Sequence, residues 1–321
     1  MTQNQRKTAE VSAGSPAAAD VKTGRRPFRN VAVLMGGPSS EREVSLRSGK
    51  AVAEGLRQAG YAVAAVQLDG ATVEIPAGVE AVFLALHGAF GEDGTLQALL
   101  DERRMPYTGS GAAASRLSMD KVASKRVFEQ HGIPTPAYDV LKSGSPACRL
   151  PLPVFVKPPR EGSSIGVHKV ALASEWEAAV ADARRYGDDV LVEACIEGRE
   201  VTVGVVDGEV LPAVEIVAAE AWYDYRAKYG GESGYRVPAP LDPPVAERCG
   251  RIALAVYRAL GCRGMGRVDF RLTPGGDPFV LEMNTIPGFT PTSLLPKAAA
   301  AAGMDFSALC DRIMCTAAYG P

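Results

Sequence analysis

The sequence lacks any long hydrophobic run. No stretch approaches the roughly 18 apolar residues that a membrane-spanning helix needs, and the alanine-rich segment 298–302 is short and followed by Gly303. An excess of one charge is also missing. The 35 basic and 37 acidic side chains leave a net charge of −2, which argues against nucleic-acid or membrane-surface binding, where basic chains are the rule. The first residues are polar and contain no apolar segment of the kind a secretory signal carries. Cysteine is scarce, 6 in 321 residues, with no CxxC pair and no zinc-ligand spacing. Neither a disulfide scaffold nor a zinc ribbon is expected, and the thiols read as reduced, half-buried groups of a cytoplasmic protein. There is no internal repeat.

What the chain has is ordinary globular material. Hydrophobic residues make up 46% and charged residues 22%, enough for a sizeable core in about two domains of roughly 150 residues. The 34 glycines and 23 prolines lie scattered between apolar runs, as turns and phosphate-type loops would. Residues 1–28 hold one aromatic, Phe28, and no apolar period, so they read as a disordered tail. The continuous run Val31-Ala32-Val33-Leu34-Met35 fits a strand buried on both faces. Gly36-Gly37-Pro38-Ser39-Ser40 follows, then a helical pattern from Glu41 to about Gln58, with Ser40 and Glu43 spaced as a capping box. Further strands are expected at 62–68 and 81–86, giving a small parallel α/β layer whose ligands would sit beyond the strand ends.

Farther along, a helix is expected to start near Ser118 or Asp120, carrying Lys121 in its first turn. Strands are expected at 154–157, 167–170, 190–193 and 200–206, and helices at 175–186 and 246–260. A long aromatic loop at 222–237 has the glycine content of a lid or of a surface loop. The strands 267–272 and 278–284 form a hairpin. Alternation puts Val268, Phe270 and Leu272 on one face, with Phe279, Leu281 and Met283 on the partner's apolar face. Asp269, Glu282 and Asn284 would share the opposite face. That trio is either a plain polar surface or an all-oxygen site for a hard cation. The loop from Arg160 to Gly166, with Lys157 just before it, is either a glycine/serine connection or a cradle for phosphate oxygens. It is no Walker loop, because GxxxxGK[ST] does not occur. The GxGxxA match at 109–114 reads as a structural turn, since no strong strand precedes it. His87 ends a strand and, with Glu92-Asp93-Gly94, either lines a crevice or is structural.

In order along the chain stand Gly36-Gly37-Pro38-Ser39-Ser40-Glu41, Leu86-His87-Gly88, Tyr107-Thr108-Gly109-Ser110 and Ser118-Met119-Asp120-Lys121. They are followed by Val156-Lys157-Pro158-Pro159-Arg160-Glu161-Gly162-Ser163-Ser164, a Tyr/Asp/Lys-rich run at 223–229, Gly266-Arg267-Val268-Asp269 and Leu281-Glu282-Met283-Asn284. Together they resemble the D-alanine–D-alanine ligase family of the ATP-grasp superfamily, from about residue 31 to the C-terminus. The resemblance implies an α/β (α+β ATP-grasp) fold. After the tail would come a Rossmann-like parallel-sheet substrate domain at 29–120. Two ATP-grasp subdomains at 121–211 and 212–321 would follow, sandwiching the nucleotide, with the lid loop in the second.

It implies ATP-dependent joining of two D-alanines through an acyl phosphate, for peptidoglycan synthesis, with two Mg²⁺ ions (Mn²⁺ in their place) and a homodimer. Alternatives are a different second substrate (D-lactate or D-serine) or a catalytically dead ATP-binding module. By the same resemblance, Lys121, Lys157, Ser164, Glu193, Ile196, Glu200 and Lys228 would hold ATP. Asp269, Glu282 and Asn284 would hold the metal. Glu41, Ser163, Tyr229, Arg267 and Gly288 would be catalytic. His87 would face the first substrate, and Ser293 and Leu294 the carboxylate of the second.

Overall fold

The structure, a computed structural model, describes residues 26–142, 149–217 and 234–320. The first layer is a three-stranded parallel sheet in the order β2-β1-β3, built from β1 (Asn30–Gly36), β2 (Ala62–Leu68) and β3 (Ala81–Leu84). Every residue of β1 after Asn30 is buried, as its unbroken apolar run demands. Helix α1 (Arg42–Gln58) follows β1 and packs through Val52, Ala53 and Leu56. The expected capping box is not formed. Glu41, not Ser40, is the N-cap, and it makes no side-chain cap bond. Its carboxylate is turned toward Ser163 instead. Arg26 and Phe28, expected in the tail, are docked. Arg26 Nε lies 2.7 Å from Asp311 Oδ1, and Phe28 packs on the core.

Helices α2 (Thr95–Glu102), α3 (Ala112–Met119) and α4 (Lys121–Gln130) carry the chain onward. The turn reading of 109–114 describes its first residues only, since the alanines begin α3. Asp120 caps α4, accepting from Val122 N at 3.1 Å and Ala123 N at 3.0 Å.

The second layer is a four-stranded sheet in the order β4-β7-β5-β6, from β4 (Tyr138–Leu141), β5 (Val154–Lys157), β6 (His168–Val170) and β7 (Val190–Ala194), with α5 (Trp176–Ala183) against it. β4 follows Pro134 and Pro136 too closely for a periodic signal to show.

The third is a six-stranded sheet, β11-β10-β8-β12-β13 with β9 beside β8. Its strands are β8 (Arg199–Val206), β9 (Glu209–Val210), β10 (Val214–Val217), β11 (Gly234–Arg236), β12 (Met265–Leu272) and β13 (Pro278–Asn284). β8 pairs with β12 along its whole length, so the expected division at 211/212 falls inside this sheet. Helix α6 (Pro243–Ala259) covers it, and α7 (Leu294–Ala301) and α8 (Phe306–Cys315) close the chain against the first layer. No described helix is long and apolar enough to cross a membrane. Of the described cysteines, Cys249, Cys262 and Cys310 are buried, Cys195 and Cys315 half-buried, and all are free thiols.

Candidate functional site

The loops after β1 and β3, the start of α4, the loop 158–167, the β7–β8 turn and the β12–β13 hairpin border one cavity of about 850 Å³. Every candidate residue among the described ones lines it. Lys228 and Tyr229 lie outside the described residues, as does most of the expected lid.

The carboxylate end of the cavity comes from the hairpin. Asp269 pairs in register with Glu282, and Arg267 with Asn284. This places the expected trio on one face, opposite buried Val268, Phe270 and Met283. The alternation does not persist. The register shifts after Asp269, so that Phe270 faces Val280. This β-bulge sends Val280 into the core and leaves Phe279 and Leu281 half-buried, with Leu281 on the cavity wall. The expected apolar set of Phe279, Leu281 and Met283 is therefore corrected to Pro278, Val280 and Met283, because a bulge reverses the two-residue period. Asp269 is densely bonded. Arg267 donates Nε and Nη2 to its two oxygens at 2.8 Å each, Thr202 Oγ1 donates at 2.6 Å and Asn284 Nδ2 at 3.0 Å. Thr202, on β8, was missed by sequence reasoning, since a lone threonine in a strand carries no signal.

The cationic wall comes from α4 and β5. Lys121 Nζ lies 3.0 Å from Glu282 Oε2 and donates to the Glu161 carbonyl at 2.7 Å. Burial would lower its pKa, but Glu282 outweighs this and raises it. Lys157 Nζ pairs with Glu193 Oε2, and Lys125 Nζ lies 2.5 Å from Glu193 Oε1. Burial would push the Glu193 carboxyl up, yet the two lysines together hold it below the ordinary range. On the far wall Arg271 donates to the carbonyls of Ile196 at 3.2 Å and Gly198 at 2.9 Å, and its Nη1 lies 3.5 Å from Glu200. It thus fixes the turn that carries Ile196 and Glu200.

The remaining wall belongs to the first layer. Ser163 donates to Glu41 Oε1. Ser163 and Ser164 sit at φ of 49° and 60°, left-handed conformations costing of order 1–3 kcal/mol each in non-glycine residues. The bond to Glu41 helps hold the loop in that shape and aims it at the cavity. His87 Nε2 lies 3.0 Å from Ser48 Oγ and Nδ1 3.1 Å from the Ile286 carbonyl. Burial holds its imidazole below the ordinary pKa. Glu92 accepts from Gly88 N at 2.8 Å. Burial first, and then nearby Glu41, push its carboxyl up to about 8.

At the other rim Ser293 is the N-cap of α7 and Leu294 its first residue. A Cβ at Gly288 would lie 3.3 Å from Ser293 Oγ, so a larger residue there would crowd that hydroxyl. Among the described residues no three His, Cys, Asp or Glu side chains converge as a metal-binding group. The expected set supplies two carboxylates and an amide. Besides Thr202, sequence reasoning left Arg271 and Lys125, the latter behind the cavity wall, without a role, and it named Glu92 only as a crevice residue beside His87. The one signal for Lys125 is its place a helical turn after Lys121.

This geometry can be set against known proteins. A family model described as the D-ala D-ala ligase C-terminus matches residues 127–315, and one for the N-terminus matches 69–110. A D-alanine–D-alanine ligase of Syntrophotalea carbinolica is 50% identical over 291 residues, spanning 89% of this chain and 95% of the relative. One from Bordetella avium is 47% identical over 301 residues, spanning 90% and 95%. Among solved structures, a D-alanine–D-alanine ligase from Bacillus anthracis complexed with ATP is 33% identical. It superposes with a TM-score of 0.80, covering 90% of this chain and 97% of that one. The VanG D-Ala:D-Ser ligase of Enterococcus faecalis gives 0.78 at 30% identity, covering 89% and 98%. With both halves matched in order, and the ordered motifs gathered around one cavity, the chain belongs to the D-alanine–D-alanine ligase family.

Proposed function

We propose that this chain joins two D-alanines into D-alanyl-D-alanine with ATP as phosphoryl donor, supplying the dipeptide for peptidoglycan in the cytoplasm. The observation that carries the reading is that a single cavity is lined by the cations Lys121 and Lys157, by Glu41 with Ser163, and by the Arg267–Asp269 pair. Such cations suit a triphosphate, and a glutamate suits the ammonium of a small amino acid.

In the reaction the γ-phosphoryl group passes from ATP to the carboxylate of the first D-alanine, and ADP leaves. The amine of the second D-alanine attacks the acyl carbon, and the tetrahedral adduct expels phosphate. Lys121 and Lys157 neutralise the phosphates. Ser164 and its loop neighbours cover them, and Glu193, Ile196 and Glu200 hold the nucleoside. Lys228 and Tyr229, outside the described residues, take their parts in this reading from the family resemblance alone, Lys228 toward the transferring phosphate and Tyr229 in lid closure. Glu41 receives the first ammonium, with His87 beside the carboxylate. Arg267 and the Gly288 amide stabilise the oxyanion, and Ser293 with the Leu294 amide receives the second carboxylate. Glu92, protonated at neutral pH, adds no second negative charge beside Glu41.

The donor set of Asp269, Glu282 and Asn284 is all oxygen on one hairpin face, which fits Mg²⁺ or Mn²⁺. Bound there, such ions would neutralise phosphate oxygens. The division into residues 29–120, 121–211 and 212–321 is part of this reading, with β8 and β9 of the central unit paired into the sheet that the last unit completes, as is a homodimer.

The test is D-alanine-dependent ADP release with Mg²⁺, beside an Asp269→Ala control. ADP and dipeptide from the parent and background from the control are expected. Background from both would leave an ATP-binding module without ligase activity. The likeness to the D-Ala:D-Ser ligase favours one second reading, D-serine as acceptor. Product analysis with D-alanine, D-serine and D-lactate separates them.

A further inference from the structure

Lys125 lies one turn beyond Lys121 on α4, and its side chain is wholly buried. An ammonium leaves water at such a site only when it is paired and hydrogen-bonded. Its Nζ is 2.5 Å from Glu193 Oε1, donates to Thr135 Oγ1 at 2.5 Å, and stands 5.3 Å from the centre of the Tyr138 ring. Thr135 in turn donates to the Val280 carbonyl of β13 at 2.8 Å. The second oxygen of Glu193 pairs with Lys157.

Glu193 and Lys157 line the cavity, whereas Lys125 does not. One buried carboxylate therefore faces two lysines, and at Lys125 burial pulls the ammonium's pKa down while Glu193 pulls it back up. With Lys125 removed, Lys157 and Glu193 would form a neutral pair, and the charge that Lys157 presents to the cavity would be cancelled at short range. The same helix meets both sheets through successive turns, Lys121 to Glu282 on β13 and Lys125 to Glu193 on β7.

We propose that Lys125 is a positioning residue for the nucleotide: from behind the cavity wall it neutralises Glu193, which leaves the charge of Lys157 available to the phosphate chain and ties β7 to β13 across the nucleotide's seat. The proposal rests on the ATP-dependent reading above and adds to it a residue that does not touch substrate.

The experiment is steady-state kinetics with Lys125→Met, which keeps length and apolar volume, accompanied by thermal melting and by equilibrium ATP binding. KM and Kd for ATP rise about tenfold or more, while kcat and KM for D-alanine stay within about threefold. In a Glu193→Gln background, Lys125→Met changes KM and Kd for ATP less than about twofold, because the charge it acts through is gone. An unchanged ATP constant in the single variant overturns the proposal. So does the same rise in the Glu193→Gln background, or a parallel rise in both KM values with a lowered Tm. If Lys125→Met does not fold, the double variant, which buries neither charge, takes its place. ATP binding weaker in it than in Glu193→Gln alone overturns the proposal. Should the parent release no D-alanine-dependent ADP, the ligation reading falls, and ATP binding to the same variants still decides the role of Lys125.

Discussion

Glu41 and Glu92 face the same cavity with different fates. Glu41 stands at the N-terminus of α1, where the helix dipole favours a negative charge, and it accepts from Ser163. Glu92 is half-buried near it, and desolvation first, then Glu41, push its carboxyl up to about 8. The sign of the consequence follows from linkage. Between the ordinary value of 4.5 and about 8 the unfolded chain ionises Glu92 while the folded chain keeps it protonated. The folded state therefore loses stability as pH rises through that window. Glu92→Gln removes this loss, so its Tm relative to the parent climbs from pH 5 to pH 8, by an energy of up to about 1.4 kcal/mol per pH unit. A Tm difference that stays flat with pH refutes the assignment. Arg267 makes the second prediction at this scale. With both its donors on Asp269 and its place on the cavity wall, Arg267→Gln lowers kcat by about 10²–10³-fold at little change in Tm, measured by dipeptide formation.

At the scale of elements, turns and caps decide where the site groups point. Gly198, in the β7–β8 turn, has φ of 127°, and a Cβ there would lie 1.9 Å from the Leu272 carbonyl oxygen. Gly198→Ala must displace backbone, so a stability loss of about 2 kcal/mol or more is expected together with weaker nucleotide binding, read by denaturant unfolding and an ATP titration. Asp120 accepts two α4 amides and lies 2.8 Å from Arg160 Nε. Asp120→Ala costs about 1 kcal/mol, checked by the shift in unfolding midpoint. These elements also show what periodicity could and could not tell. β1 was legible because five consecutive apolar residues suit a strand covered on both faces. The capping box was misread because Ser40 and Glu43 have the right spacing, while Glu41 is the residue at which the backbone enters the helix. The hairpin's polar trio was legible, but its apolar partners were not, since nothing local in 278–284 announces a bulge. β10 is short and gains its place from pairing with β8, information that its own residues do not hold.

The whole molecule sets three sheets around one cavity, so a nucleotide bound there would touch elements of more than one layer at once. Mg²⁺-ATP at 100 times its Kd is expected to stabilise the fold by about 2.7 kcal/mol, seen as a raised Tm. Lys157→Met, which removes the cation nearest Glu193 on that wall, should abolish most of the shift at the same ATP concentration. An equal shift in both proteins would show that Lys157 contributes nothing to binding.

The amino-acid sequence by itself determined the family, the parallel opening layer and the chemical inventory of the cavity, because those rest on local runs, ordered motifs and residue types. Only the tertiary structure decided that Asp269 faces Glu282, that Glu41 reaches Ser163 and that Lys125 stands behind Glu193. Each of those pairings joins side chains distant in sequence, through strand register or packing between layers, and no local pattern encodes the energy of a contact whose partner lies elsewhere in the chain.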